Sequence, residues 1–164
     1  MVSSNGHMYT KFEPRSAESV FEAVRGDHDM RLRYYDTKLM AVFVAREMAK
    51  RLKASGKPFV VLNIVEPGYC QSDLLRTKEW ERPIRAMMAV ANKILARTPE
   101  MGARTYIMAA NAGPESHGKY LEDCGMSTPS PFVDSEEGER LQIKIWDELV
   151  AILERAQPGV TENI

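Results

Sequence analysis

Cysteine is scarce in this sequence: Cys70 and Cys124 are its two thiols in 164 residues. They make neither a CxxC pair nor a metal-ligand spacing, which argues against a disulfide-stapled scaffold and a zinc-ribbon site. Excess charge of one sign is also missing, with 22 Lys+Arg against 23 Asp+Glu. Without a basic surplus there is little to draw phosphate backbones, so nucleic acid is not an expected partner. Long apolar runs are absent; none reaches the roughly 18 residues needed to cross a bilayer. The first ten residues lack the charged-then-apolar layout of a secretory signal. His7, His28 and His117 share no ligand-like spacing, so no metal is expected and surface positions are the default for all three. Repeats and low-complexity tracts are absent as well. These absences leave a water-soluble chain, cytoplasmic by expectation and long enough for one domain with its own core.

What is present reads as α/β. Val2 closes a short strand that runs into a polar turn. Residues 16–25 form a short amphipathic segment with Val20, Phe21 and Val24 on one side. Asp27, His28 and Asp29 then offer caps to a long helix over 30–55. Leu39 to Ala45 is apolar almost all round, so this helix is either buried on two sides within the domain or meets a second copy of the chain. Gly56 and Pro58 stop it. Residues 59–65 read as a strand of a parallel sheet covered on both faces. The turn-rich loop over 66–74 lies at that strand's carboxyl end, where open parallel sheets bind ligands. A charged segment over 76–83, with Trp80, would lie above such a site.

Beyond it, 84–96 reads as a helix with Met87, Met88, Ala91 and Leu95 on one side. Thr98-Pro99-Glu100 opens another, with an N-cap, a proline at the first position and an acid in the first turn. A strand is expected over 118–121 and a loop over 125–133. Asp134-Ser135-Glu136-Glu137 caps a final amphipathic helix with Leu141, Ile145, Leu149, Ile152 and Leu153 inward. Residues 158–164 read as a tail after a domain over 1–157. The cysteine in the 66–74 loop is expected to be half-buried and inert.

One pair on the long helix could carry chemistry. Tyr34 and Lys38 are four apart and share a face. An ammonium beside a phenol favours the phenolate, which suits a proton-transferring tyrosine. Taken with Val2-Ser3-Ser4 at a strand end and Pro67-Gly68-x-x-x-Ser72 after the next strand, the chain resembles the C-terminal half of a short-chain dehydrogenase/reductase. The likeness is to the retinol-dehydrogenase-like and fungal accessory type. Ala96-Arg97-Thr98-Pro99-Glu100-Met101-Gly102-Ala103 and Gly118-Lys119-Tyr120 are smaller echoes.

The resemblance implies an α/β fold that is the C-terminal portion of a Rossmann-like doubly wound parallel sheet, lacking the N-terminal dinucleotide-binding strands. Ser4 would bind the substrate oxygen, Ser3 being the less favoured choice. Tyr34 would be the general acid or base, with Tyr35 its neighbouring rival, and Lys38 would lower the tyrosine's pKa and bind the nicotinamide ribose. Pro67, Gly68 and Ser72 would line the nicotinamide of NADP or NAD. The substrate would be a small molecule with a hydroxyl or carbonyl, the setting fungal secondary metabolism, and a homodimer could form through the 30–55 helix. A G-x-x-x-G-x-G turn is absent from the sequence. The chain is therefore expected to be a catalytic half, inactive alone and without measurable NADPH binding. The alternative is a non-enzymatic relative that serves as a dimerising partner.

Overall fold

The structure, a computed structural model, describes residues 1–26, 29–72 and 82–164, leaving aside the side chains of 30, 31, 82, 85, 88 and 163. The expected caps Asp27 and His28, and Trp80 in the 76–83 segment, lie outside the described residues. The elements are α1 (Val20–Arg25), α2 (Met30–Ala54), β1 (Ile64–Glu66), α3 (Arg82–Leu95), α4 (Pro99–Asn111), β2 (Tyr120–Glu122), β3 (Gly125–Ser127) and α5 (Glu136–Ala156), joined by short 3-10 turns. The architecture is α/β with a small mixed sheet in the order β1-β2-β3. β1 and β2 are parallel, with Ile64 opposite Tyr120 and Glu66 opposite Glu122. On the other edge of β1, Val2 adds a parallel bridge to Val65. There Met1 O accepts from Val65 N at 2.8 Å and Ser3 N donates to Val65 O at 2.9 Å. Among the described residues no helix is long and apolar enough to cross a membrane.

Two strands depart from the sequence reading. The run over 59–65 pairs as a strand only from Ile64, and Phe59 and Val60 are 51% and 60% exposed. Its neighbour explains this: the chain before β2 is a helical turn, Pro114–Ser116, so pairing ahead of Ile64 is reduced to Gly118 N donating to Leu62 O at 2.7 Å. Leu62 N donates instead to His117 Nδ1 at 3.2 Å. The second departure is β3, which lies in the stretch read as loop and pairs antiparallel with β2. Asp123 and Cys124 make the two-residue turn with φ of 51° and 58°. Two left-handed residues are what a twisted hairpin needs, but Asp-Cys lacks the glycine that usually announces it.

The helices begin where their caps place them. The Thr98 hydroxyl accepts from Met101 N at 3.2 Å and Ser135 Oγ from Gly138 N at 3.0 Å. The main core lies between α2, α5, α1 and the sheet, and includes Leu39, Val42, Phe43, Ile64, Tyr120 and Ile145. Val42, Phe43 and Ala45 are fully buried within the chain. The burial of these α2 residues is thus within the chain. Glu47, buried on the same helix, accepts from Arg51 Nε at 2.8 Å and Gln142 Nε2 at 2.9 Å. α5 also caps α1: the Glu148 carboxylate accepts from Ser19 Oγ, Val20 N and Phe21 N at 2.9–3.1 Å. On the sheet's other side, Val65, Ala109 and Leu121 with Met108 form a smaller cluster under α4. α3 stands off the body, with Met87, Ile94 and Leu95 at 63%, 74% and 71% exposed rather than packed inward. Ile152 and Leu153 of α5, read as inward, are exposed as well. After α5, Gly159 N and Thr161 N fold back onto the Glu154 carboxylate.

Candidate active site

The turn after the Val2 bridge is fixed at nearly every residue. Ser3 is buried and donates through Oγ to Lys38 O at 3.1 Å, which ties the turn to α2. Ser4, half-buried, caps the 3-10 turn Asn5–Met8 and accepts from Gly6 N at 3.1 Å. Its hydroxyl proton remains to be donated elsewhere. Gly6 rests on the helix: a Cβ there would come within 2.9 Å of the Tyr35 ring and 3.1 Å of the Tyr34 ring. The absence of a side chain at Gly6 is what lets the serine turn approach the tyrosines. Tyr34 meets Tyr35 edge-on at 5.8 Å between centroids, and Lys38 Nζ lies 5.5 Å from the Tyr34 ring centre. A cation at that distance is attracted by the ring face.

His7 corrects the expectation of a surface histidine: it is 1% exposed. Its Nε2 lies 3.0 Å from Ser130 N, a backbone donor, so that nitrogen must accept. The proton therefore sits on Nδ1 and is donated to Ser4 O at 2.7 Å. The neutral ring satisfies both neighbours, and burial holds its pKa below the usual histidine range. His117 is likewise satisfied, accepting from Leu62 N and donating through Nε2 to Ala49 O at 2.8 Å.

At the carboxyl ends of the strands sits a polar network. Glu66, 4% exposed, accepts from Gly68 N at 2.7 Å. Burial pushes its carboxyl pKa up and nearby Glu122 adds to this, while the Gly68 and Asn5 amides and Arg97 act in the opposite direction. Asn5 Nδ2 donates to Glu122 Oε1 at 2.5 Å, and Tyr120 OH donates to Asn5 Oδ1 at 3.0 Å. Burial, then Glu66 and Glu122, push the Tyr120 phenol pKa upward. The Arg97 guanidinium covers Gly68, where a Cβ would lie 2.7 Å from Nη1. Arg97 is paired with Asp123 of the β2–β3 turn, and a parallel bridge joins it to Cys70.

The structure thus brings the Ser4 turn against the Tyr34–Lys38 face, and brings Pro67 and Gly68 to the same end of the sheet through Glu66. Ser72 is exposed, next to the segment outside the described residues. Sequence reasoning missed Asn5, Glu66 and Glu122; Tyr120 entered it only within the Gly118-Lys119-Tyr120 echo, and His7 only as a surface histidine close enough to Ser4 to touch substrate. Of these only Glu66 carried a local signal, as an acid at the end of an apolar strand just before Pro-Gly. Among the described residues no group of three or more His, Cys, Asp or Glu could hold a metal ion.

Fold and site together define an α/β chain in which the turn carrying Ser4 rests, through Gly6, on the helix that carries Tyr34 and Lys38. The chain is homologous to fungal short-chain dehydrogenases/reductases. It is 37% identical over 169 residues to a short chain dehydrogenase/reductase of Cryptosporiopsis sp., covering 99% of this chain and 50% of that protein. A short-chain dehydrogenase of Penicillium roqueforti is 34% identical over 166 residues, 97% of this chain and 43% of the relative. For a short chain dehydrogenase of Emericella nidulans the identity is 41% over 128 residues, 75% of this chain and 40% of the relative. The chain spans half or less of the length of these relatives. No family model matches it, and no solved structure does.

Proposed function

We propose that this chain is the catalytic half of an NAD(P)-dependent short-chain oxidoreductase that interconverts a hydroxyl and a carbonyl on a small molecule, with a role in fungal secondary metabolism. The observation that carries the reading is the seating of the Ser4 turn on Tyr34 through Gly6, with Lys38 over the same ring. Ser4 donates its remaining proton to the substrate oxygen. Tyr34 gives a proton to that oxygen in reduction and takes one in oxidation. Lys38, over the Tyr34 ring, holds the nicotinamide ribose. Pro67, Gly68 and Ser72 line the nicotinamide.

The donor set fits the nicotinamide half of the cofactor, NADP or NAD, which supplies the hydride when bound. The adenosine half finds no counterpart, since the sequence has no glycine-rich strand-to-helix turn. The exposed Met101 and Ile107 on α4 support a module that packs against further structure. The alternative is a non-enzymatic partner that dimerises through its long helix; the burial of Leu39, Val42 and Phe43 within the chain favours the oxidoreductase reading.

The test is saturation-transfer NMR with millimolar NADPH on the purified chain. Transfer is expected to the nicotinamide protons, absent from the adenine, and lost in Lys38→Ala. Absence of nicotinamide transfer refutes the site, and micromolar binding of the whole dinucleotide by calorimetry refutes the half-enzyme reading. In a chain completed by the matching half of a relative, Tyr34→Phe should cut turnover by about 100-fold or more while retaining cofactor binding. Substantial retained turnover would assign the proton transfer elsewhere.

A further inference from the structure

We propose that His7 is a positioning residue that fixes the peptide plane of Ser4 and thereby aims the serine hydroxyl at the substrate oxygen. Its role in catalysis rests on the oxidoreductase reading; the clamp itself rests on geometry. Ser4 O accepts twice from one residue, from His7 N at 3.1 Å and from His7 Nδ1 at 2.7 Å. Two donors occupy both lone pairs of that carbonyl, so the peptide that leaves Ser4 cannot rotate without breaking both bonds. The ring is fixed at its far end as well, where Nε2 accepts from Ser130 N at 3.0 Å. The imidazole packs beside the Tyr120 ring, with centroids 5.1 Å apart. At 1% exposed, His7 is closed off from any ligand and acts only through what it holds.

The neighbours of Ser4 are anchored away from it. Ser3 Oγ donates to Lys38 O, and the Asn5 side chain spans the Tyr120 hydroxyl and the Glu122 carboxylate. Ser4 is left with its Oγ accepting from Gly6 N at 3.1 Å and one proton to give. The direction of that proton follows the peptide planes on either side, and His7 sets the one after Ser4. The two ends of the imidazole have unequal consequences. Ser4 O keeps the backbone donor of His7 when the ring bond is lost, so that loss costs little stability but loosens the serine. Ser130 N gives its single proton to Nε2, so losing that end strands a half-buried donor and does cost stability. Two substitutions separate these ends. Counting bonds from Cβ, an asparagine amide reaches where Nδ1 stands and a glutamine amide reaches where Nε2 stands. Asparagine therefore keeps the bond to Ser4 O, and glutamine keeps the bond to Ser130 N.

The experiment uses the purified chain and the chain completed by the matching half of a relative. In nitrogen NMR spectra of the purified chain at neutral pH, His7 should hold its proton on Nδ1 and leave Nε2 bare. A proton on Nε2, or exchange between the two forms, overturns the clamp. The carbonyl-carbon resonance of Ser4 should stay in place in His7→Asn and move in His7→Gln; the same response in both also overturns it. In thermal melts His7→Asn should be the less stable of the two, and the reverse order overturns the division between the ring's two ends. In the completed chain, with the cofactor KM unchanged, kcat should fall roughly 3–10-fold in His7→Gln, the scale of one neutral hydrogen bond, and be rescued in His7→Asn. Turnover that follows the melting temperature, or that is equal in both variants, overturns the positioning role and leaves His7 a packing residue. If the completed parent shows no turnover, the oxidoreductase reading fails and the role with it, and the spectra alone decide the clamp. Should one variant not fold, the parent tautomer decides the clamp and the variant that folds decides the role.

Discussion

Gly102→Ala tests the packing between α4 and the Pro67–Gly68 loop. Gly102 is buried in the first turns of α4, and a Cβ built there would lie 2.4 Å from Cys70 Sγ and 3.4 Å from Pro67 O. To move aside the sulfur must give up its contact with Pro67 O at 3.4 Å. Two effects oppose each other. Alanine is better than glycine inside a helix by about 1 kcal/mol. Forcing a methyl into a filled site costs about 1–3 kcal/mol. The net expectation is a loss of roughly 0–2 kcal/mol, which for a chain of this size lowers the melting temperature by about 2–4 °C per kcal/mol. Cys70→Ala removes the clashing atom, so in that background Gly102→Ala should become neutral or stabilising. The double-mutant cycle should return a coupling of about 1–3 kcal/mol. Thermal and urea melts of the four proteins measure it. Additive effects, or a single variant that melts above its parent, would refute the close approach of α4 to the loop.

Two further outcomes follow from polar groups, one half-buried and one buried. Glu148→Ala leaves the first donors of α1 without their acceptor and should cost about 2–3 kcal/mol in urea melts, with Glu148→Gln recovering part of it; a loss under about 0.5 kcal/mol would mean that water replaces the cap. His7 has its folded pKa depressed by burial below the unfolded value of 6.5. Its contribution to stability is therefore complete above about pH 6.5 and is lost as pH falls through the folded pKa, because the unfolded chain takes up the proton first. A stability profile that stays flat from pH 7 to 5, or that keeps its slope in His7→Gln, would contradict that environment.

The helices were legible because their signals are local. Thr98, Pro99 and Ser135 mark starts within one turn of the residues they cap, and the apolar girdle of Leu39 to Ala45 announces burial wherever its partners come from. The Tyr34–Lys38 pair was legible for the same reason: a spacing of four defines a face. The sheet was harder. The apolar run over 59–65 has the composition of a long strand, yet pairing is limited by the neighbour, which is helical until just before β2. β3 was hidden because its turn uses Asp123 and Cys124 in place of glycine. The network around Ser4 is the least local part. Asn5 reaches Glu122 and Tyr120, and His7 reaches Ser130, across more than a hundred residues of chain. No spacing rule encodes such meetings, so Asn5 and Glu122 were not singled out, and His7 was expected at the surface.

The unequal covering of the two sheet faces has a consequence for how the site can move. Tyr34 and Lys38 belong to a helix welded into the larger cluster by α5 and α1, so displacing them means disturbing most of the core. The Pro67–Gly68 loop packs on α4 at Gly102, and among the described residues the apolar cluster under α4 is the smaller one of Val65, Met108, Ala109 and Leu121. Local opening starts where the fewest apolar contacts must be broken. Motion is therefore cheap on the loop side and costly on the tyrosine side. The site resembles a jaw with one fixed plate and one yielding plate: ligand exchange can proceed by movements of the loop while the proton-transfer geometry stays in register.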